Sequence, residues 1–150
     1  MNKAILFSVF ISVMGVACSS GQKQENVSDN ATVTQQEEVV TPSDSGVVKI
    51  DMVYGKGTAE IRKREDQIIY LEFSSEGFSR LSAHLTSPDS LANIRFSQIF
   101  LPDGTMDGPF GRDIDYDLPS DGVYRLSVHE NMMAGDPWGG VFKVDIVLLK

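Results

Sequence analysis

The chain has 150 residues, 41% of them hydrophobic, and a formal net charge of −8 at pH 7. That acidity excludes nucleic acid as a partner, because binding a phosphate backbone needs a basic patch, and it suits cationic partners through complementary steering. A single cysteine excludes any internal disulfide, so the fold must hold by its apolar core.

The first element in chain order is a short apolar run, Ala4 to Val16, preceded by Lys3 and closed by Gly15-Val16-Ala17-Cys18. A positive start, an apolar stretch and a small-residue cleavage site make a secretory signal peptide. About 13 apolar residues are too few for a permanent span, which takes roughly 20. The segment resembles a bacterial lipoprotein signal, in which the cysteine becomes the acylated first residue of the mature chain. Ala17 and Val16 fit that pattern, whereas Gly15 stands where leucine is usual. The resemblance implies that residues 1–17 are removed and that Cys18 carries the lipid. The protein would then be anchored in the bacterial cell envelope, at the outer membrane and outside the cytoplasm. Each acyl methylene adds about 0.8 kcal/mol to such anchoring, and stable attachment takes more than one chain. An ordinary signal peptide that leaves Cys18 as an unpaired thiol is the alternative.

Residues 18–45 follow as the lipidated cysteine and a tether. The stretch from Ser19 to Ser45 holds no aromatic residue and is dominated by Ser, Thr, Gln, Asn and Glu. Such a composition buries too little apolar surface to offset the entropy of ordering. Val39 and Val40 interrupt it and are read as tether rather than strand.

From Val47 the texture changes to short alternating runs separated by turn clusters, the pattern of an all-β sandwich or barrel. Strands are expected near 47–54, 58–63, 67–73, 79–86, 93–101, 113–118, 122–129 and 141–149. In the last, Phe142, Val144, Ile146 and Leu148 share one face. In the one before, Tyr124, Leu126 and Val128 point inward, with Arg125, Ser127 and His129 outward. Asp103-Gly104 and Asp121-Gly122 are turn signals. The reading is a single domain over residues 46–150, an antiparallel, jelly-roll-like β-sandwich of about eight strands.

Chemistry-bearing residues are sparse. Asp113, Asp115 and Asp117 have the spacing of a calcium loop, but the glycine and glutamate that an EF-hand needs are replaced by Leu118 and Tyr124. The same residues alternate as a strand with a solvated acidic face. Asp103 and Asp107 are weak calcium candidates. Ser120, His129 and an aspartate could be named as a triad, yet no G-x-S-x-G elbow is present, and His84 and His129 fall on outward positions. No cofactor, catalytic residue or enzyme activity is expected. The loop from Glu130 to Gly140 is long for a hairpin and carries Met132, Met133 and the single tryptophan, Trp138. Trp138 either meets a partner there or folds back over one end of the sandwich.

The run Leu118-Pro-Ser-Asp-Gly-Val-Tyr-Arg-Leu-Ser-Val128, followed by Phe142-Lys-Val-Asp-Ile-Val-Leu-Leu-Lys150, resembles the carboxyl-terminal hairpin of bacterial pre-peptidase β-sandwich modules. More closely, it resembles that of the periplasmic inhibitors of g-type and i-type lysozymes. Tyr54-Gly-Lys-Gly-Thr-Ala-Glu-Ile and Ile69-Tyr-Leu-Glu-Phe are similar in placement. The resemblance implies a non-enzymatic binding module that inserts loops into the lysozyme cleft. The i-type inhibitors carry an S-G-x-Y loop, against Ser120-Asp121-Gly122-Val123-Tyr124 here, with one extra residue. On that basis Ser120, Gly122 and Tyr124 are partner-binding candidates, joined by Trp138. Tyr124 buried at the strand start is the other reading. The expected partners are the membrane through the lipid and lysozyme or another cationic protein. The alternative function is a pre-peptidase-like accessory or adhesion module that binds glycan.

Overall fold

A computed structural model describes residues 38–150; Cys18, the signal segment and the tether up to residue 37 lie outside the described residues. Ten strands form in chain order: β1 (Val39–Val40), β2 (Val47–Lys49), β3 (Lys56–Lys63), β4 (Ile69–Ser74), β5 (Arg80–Thr86), β6 (Ile94–Phe100), β7 (Met106–Asp107), β8 (Asp113–Asp117), β9 (Val123–Glu130) and β10 (Gly140–Leu149). They make two five-stranded sheets, ordered β1-β3-β10-β5-β8 and β2-β4-β9-β6-β7. No helix forms among the described residues. The expected all-β sandwich is what the chain adopts, and all eight expected strands are present.

The alternation of apolar residues explains the layering. Phe142, Val144, Ile146 and Leu148 of β10 meet Leu71, Phe73, Leu126 and Val128 of the facing sheet in one buried cluster. Strand β10 lies between β3 and β5, with register pairs such as Val144↔Ala59 and Val144↔Leu85. Strand β9 plays the same central part in the second sheet, between β4 and β6.

Two details differ from the sequence reading, and a third refines it. Val39 and Val40 are a strand, pairing parallel with Glu60 and Ile61 of β3, so the ladder begins before the expected tether ends. The expected strand 47–54 is cut short after Lys49 because the chain enters a tight turn at Val53–Lys56. Ser127 keeps the expected outer side of β9, paired with Tyr70, yet it is buried there, and its hydroxyl accepts a 3.0 Å hydrogen bond from the Gln98 amide. A β-bulge between Phe96 and Gln98 breaks the ladder beside β9 and leaves the Gln98 amide for the serine to satisfy. The bulge also explains why Phe96 and Ile99, three apart, are both buried on β6.

Candidate functional site

One end of the sandwich collects the loops that matter most. The Gly55 carbonyl accepts from the Leu148 amide (2.7 Å), the Leu149 carbonyl from the Ser79 amide (2.9 Å), and the Ser79 carbonyl from the Leu118 amide (2.7 Å). These bonds tie the β2–β3 turn, the β4–β5 loop, the end of β10 and the β8–β9 loop together.

Within this cluster the β8–β9 loop is Pro119-Ser120-Asp121-Gly122, with Pro119, Ser120 and Asp121 exposed. Tyr124 is fully buried beneath it, its ring stacked on Phe73 with centroids 6.0 Å apart. The phenol donates a 2.7 Å hydrogen bond to the Ser120 carbonyl, the geometry of a tyrosine corner. Ser75, also buried, exchanges bonds with Gly122: its amide donates to the Gly122 carbonyl and its hydroxyl accepts from the Gly122 amide, both at 3.0 Å. Asp121 accepts from the Gly77 amide at 2.7 Å. Gly122 has φ 149°, and a Cβ there would lie 2.7 Å from the Pro102 ring, so only glycine fits. The loop is therefore rigidly held from below while its upper surface is free. Of the sequence candidates, Ser120 and Gly122 form this surface, and Tyr124 supports it from the core.

A neighbour on the same end was not singled out from sequence as a contact residue. Tyr54 is 98% exposed and has φ 51°, followed by Gly55 at φ 74°. Two consecutive positive φ values make a type I′ hairpin turn, whose first position suits Asn, Asp or Gly far better than a bulky aromatic. The turn is rigid: Val53 and Lys56 exchange amide–carbonyl bonds of 2.8 and 3.0 Å. The signal available was the tyrosine directly before Gly55 in a turn.

Trp138 lies at the opposite end, and the structure has the folded-back arrangement. It is 7% exposed, its indole N–H donates to Asp89 at 2.7 Å, and this bond, aided by the Leu91 amide, holds the Asp89 carboxyl below the usual aspartate range. A Cβ on Gly140 would sit 2.4 Å from the indole ring, so glycine makes room for it. Beneath the tryptophan is a buried ion pair that sequence reading did not raise, Lys63 with Glu130. The Lys63 ammonium also donates to the carbonyls of Arg64 (2.8 Å) and Trp138 (3.0 Å), and Glu130 accepts from the amides of Asp66 (3.0 Å) and Trp138 (3.3 Å). The signal existed: Lys63 shares the inward parity of Ile61, and Glu130 that of Val128.

The remaining candidates do not assemble into reactive sites. Asp103 is occupied by the amide and hydroxyl of Thr105 at 2.9 and 2.7 Å, which hold its carboxyl below the usual range. Asp107 accepts from the Gly108 amide at 2.7 Å, and its charge adds to burial in pushing the Tyr116 phenol up. Among the described residues no three His, Cys, Asp or Glu side chains are grouped to hold a metal. Asp113, Asp115 and Asp117 are exposed along β8, and His84 pairs with Asp113. Ser120 precedes the start of β9 and His129 is near its end, about 20 Å along the strand, so no relay joins them.

No protein-family model matches the chain, and no curated protein matches it. Among solved structures it is similar to Aeromonas hydrophila PliG, a periplasmic lysozyme inhibitor of g-type lysozyme, at 14% identity and a TM-score of 0.50, covering 74% of this chain and 99% of that one. Salmonella Typhimurium PliG aligns at 14% identity, 68% and 97% coverage and a TM-score of 0.44. A mutant of the Escherichia coli PliG aligns at 15% identity, 68% and 96% coverage and a TM-score of 0.39. At this identity the likeness is one of fold.

Proposed function

We propose that this chain is a non-enzymatic binding protein of the bacterial envelope, anchored through Cys18, and that it inhibits lysozyme by presenting the loop end of its sandwich to the enzyme's cleft. The observation that carries the reading is the braced loop Pro119–Gly122 over Tyr124, with the rigid, exposed Tyr54 turn on the same end. A rigid tip loses little freedom on binding, and exposed tyrosine is a preferred contact residue at interfaces. The sandwich shared with a g-type lysozyme inhibitor supports the partner class. The chain's negative charge favours encounter with a basic enzyme.

Titrating the soluble domain, residues 38–150, against g-type, i-type and c-type lysozymes tests this reading, with inhibition expected for at least one class. No inhibition by any of them at micromolar excess would sink it. Tyr124→Phe is the informative loop variant, since it removes the bond to the Ser120 carbonyl and keeps the ring packed. Tyr124→Ala would cost about 3–5 kcal/mol of stability and confound the assay. Tyr124→Phe and Ser120→Ala should each weaken inhibition severalfold with the fold intact.

A further inference from the structure

On the outer face of the second sheet, beside Gly122, lies an open groove of about 460 Å³. Its walls include Tyr70 of β4, Val123 and Arg125 of β9, Phe100 of β6, and Leu101 and Pro102 of the following loop. The volume is in the range of small-molecule sites. The cross-strand register explains the arrangement: Arg125 pairs with Glu72 on one side and Phe100 on the other, and Tyr70 sits opposite Ser127. Because Ser127 on that face is small, the Tyr70 and Phe100 rings meet over β9 in an edge-to-face contact, with centroids 6.0 Å apart. The result is an aromatic wall beside a cation.

Arg125 is anchored at one nitrogen. Its Nε donates to Glu72 at 2.9 Å, and its terminal nitrogens have no partner among the described residues. That leaves the guanidinium edge, whose parallel N–H groups match a carboxylate. None of the residues that line the groove is acidic, and the neighbouring Glu72 carboxylate is taken up by the Arg125 Nε. A purely apolar acid would need an enclosed pocket, whereas this groove is open and includes a phenol. A pyranose ring has an apolar face to lay on aromatic side chains and a polar rim for solvent and for Tyr70.

We propose that this groove binds a sugar bearing a carboxylate, either a uronic acid or an amino sugar with a lactyl ether, its ring against Phe100 and Tyr70 and its carboxylate on the open edge of Arg125. The inference is separate from the lysozyme reading, because it concerns a sheet face rather than the loop tips and a small ligand rather than a protein.

Isothermal titration of the full-length chain in detergent with digalacturonate, with N-acetylmuramate, and with lactose and benzoate as controls tests it. At least one acidic sugar should bind with a Kd of roughly 1 mM or tighter, at least about tenfold tighter than lactose and benzoate, a factor that equals 1.4 kcal/mol. Which acidic sugar binds better identifies the source of the carboxylate. Arg125→Gln and Tyr70→Ala should each weaken binding about tenfold or more, Arg125→Gln at unchanged melting temperature because its side chain is exposed, and Arg125→Lys should restore only part of it, since a point charge lacks the fork. Absence of binding by both acidic sugars at about ten times that Kd overturns the proposal. So does lactose or benzoate binding as tightly as the better acidic sugar, or an Arg125→Gln variant that binds like the parent.

Discussion

The buried pair of Lys63 and Glu130 shows how individual residues hold the end of the sandwich away from the loops. Two opposite charges removed from water are costly unless their hydrogen bonds are met, and here backbone groups of Arg64, Asp66 and Trp138 meet most of them. Burial alone would raise the Glu130 pKa, but the bond from Lys63, the backbone amides and the lysine charge outweigh it, so the carboxyl sits below its usual value of 4.5. A lowered folded-state pKa contributes stability that is present above the unfolded value and lost as pH falls through the folded one. Acid melting curves of the parent should therefore drop below about pH 4.5 more steeply than those of Glu130→Gln; parallel curves would show that the pair is not the titrating element. Breaking the pair from one side with Lys63→Met should cost about 3–5 kcal/mol, and Lys63→Met with Glu130→Leu together should cost less than Lys63→Met alone. A double variant less stable than the single one would contradict the desolvation argument.

Among the elements, β10 bears the largest share of the architecture. It is the longest strand among the described residues, lies between two partners, and buries Phe142, Val144, Ile146 and Leu148. Removing residues 144–150 takes three of those side chains from the core, at about 1.5–3 kcal/mol each, against a total stability of about 5–15 kcal/mol for a domain. It also strips the ladders from β3 and β5. The truncated chain should lose cooperative thermal unfolding, and a sharp calorimetric transition in it would refute the central role of β10. This strand was legible in the sequence because its alternation is strict, as was the acidic outer face of β8, where Ile114, and Leu118 just past the strand, are buried and the aspartates exposed. What escaped was whatever depended on a neighbour. Val39 and Val40 carry too few residues to show a period, and their strand exists only because β3 offers an open edge. Ser127 keeps its outward parity, but it is buried against the Gln98 amide beside a bulge on another strand. Tyr70, Phe100 and Arg125 come from three separate strands, so no spacing along the chain could group them.

At the scale of the whole molecule, the two ends of the sandwich have different characters. One is closed by Trp138 over an ion pair, and the other offers Ser120, Gly122 and Tyr54 on braced turns. The core that joins them is apolar and contains no cysteine, so nothing in the described fold depends on a thiol. That separates the anchor proposed at Cys18 from the stability of the domain. Replacing the thiol removes the acyl acceptor and leaves every buried contact in place. Cys18→Ser expressed in a Gram-negative host should therefore move from the detergent-rich to the aqueous phase on detergent partitioning, while the domain keeps the melting temperature of the parent. Two or three acyl chains would contribute far more membrane affinity than the marginal binding of one, so the shift should be nearly complete rather than graded. If parent and variant both partition into water, Cys18 carries no lipid and the domain is a free secreted one; if both stay with detergent, an apolar segment other than an acyl chain holds it.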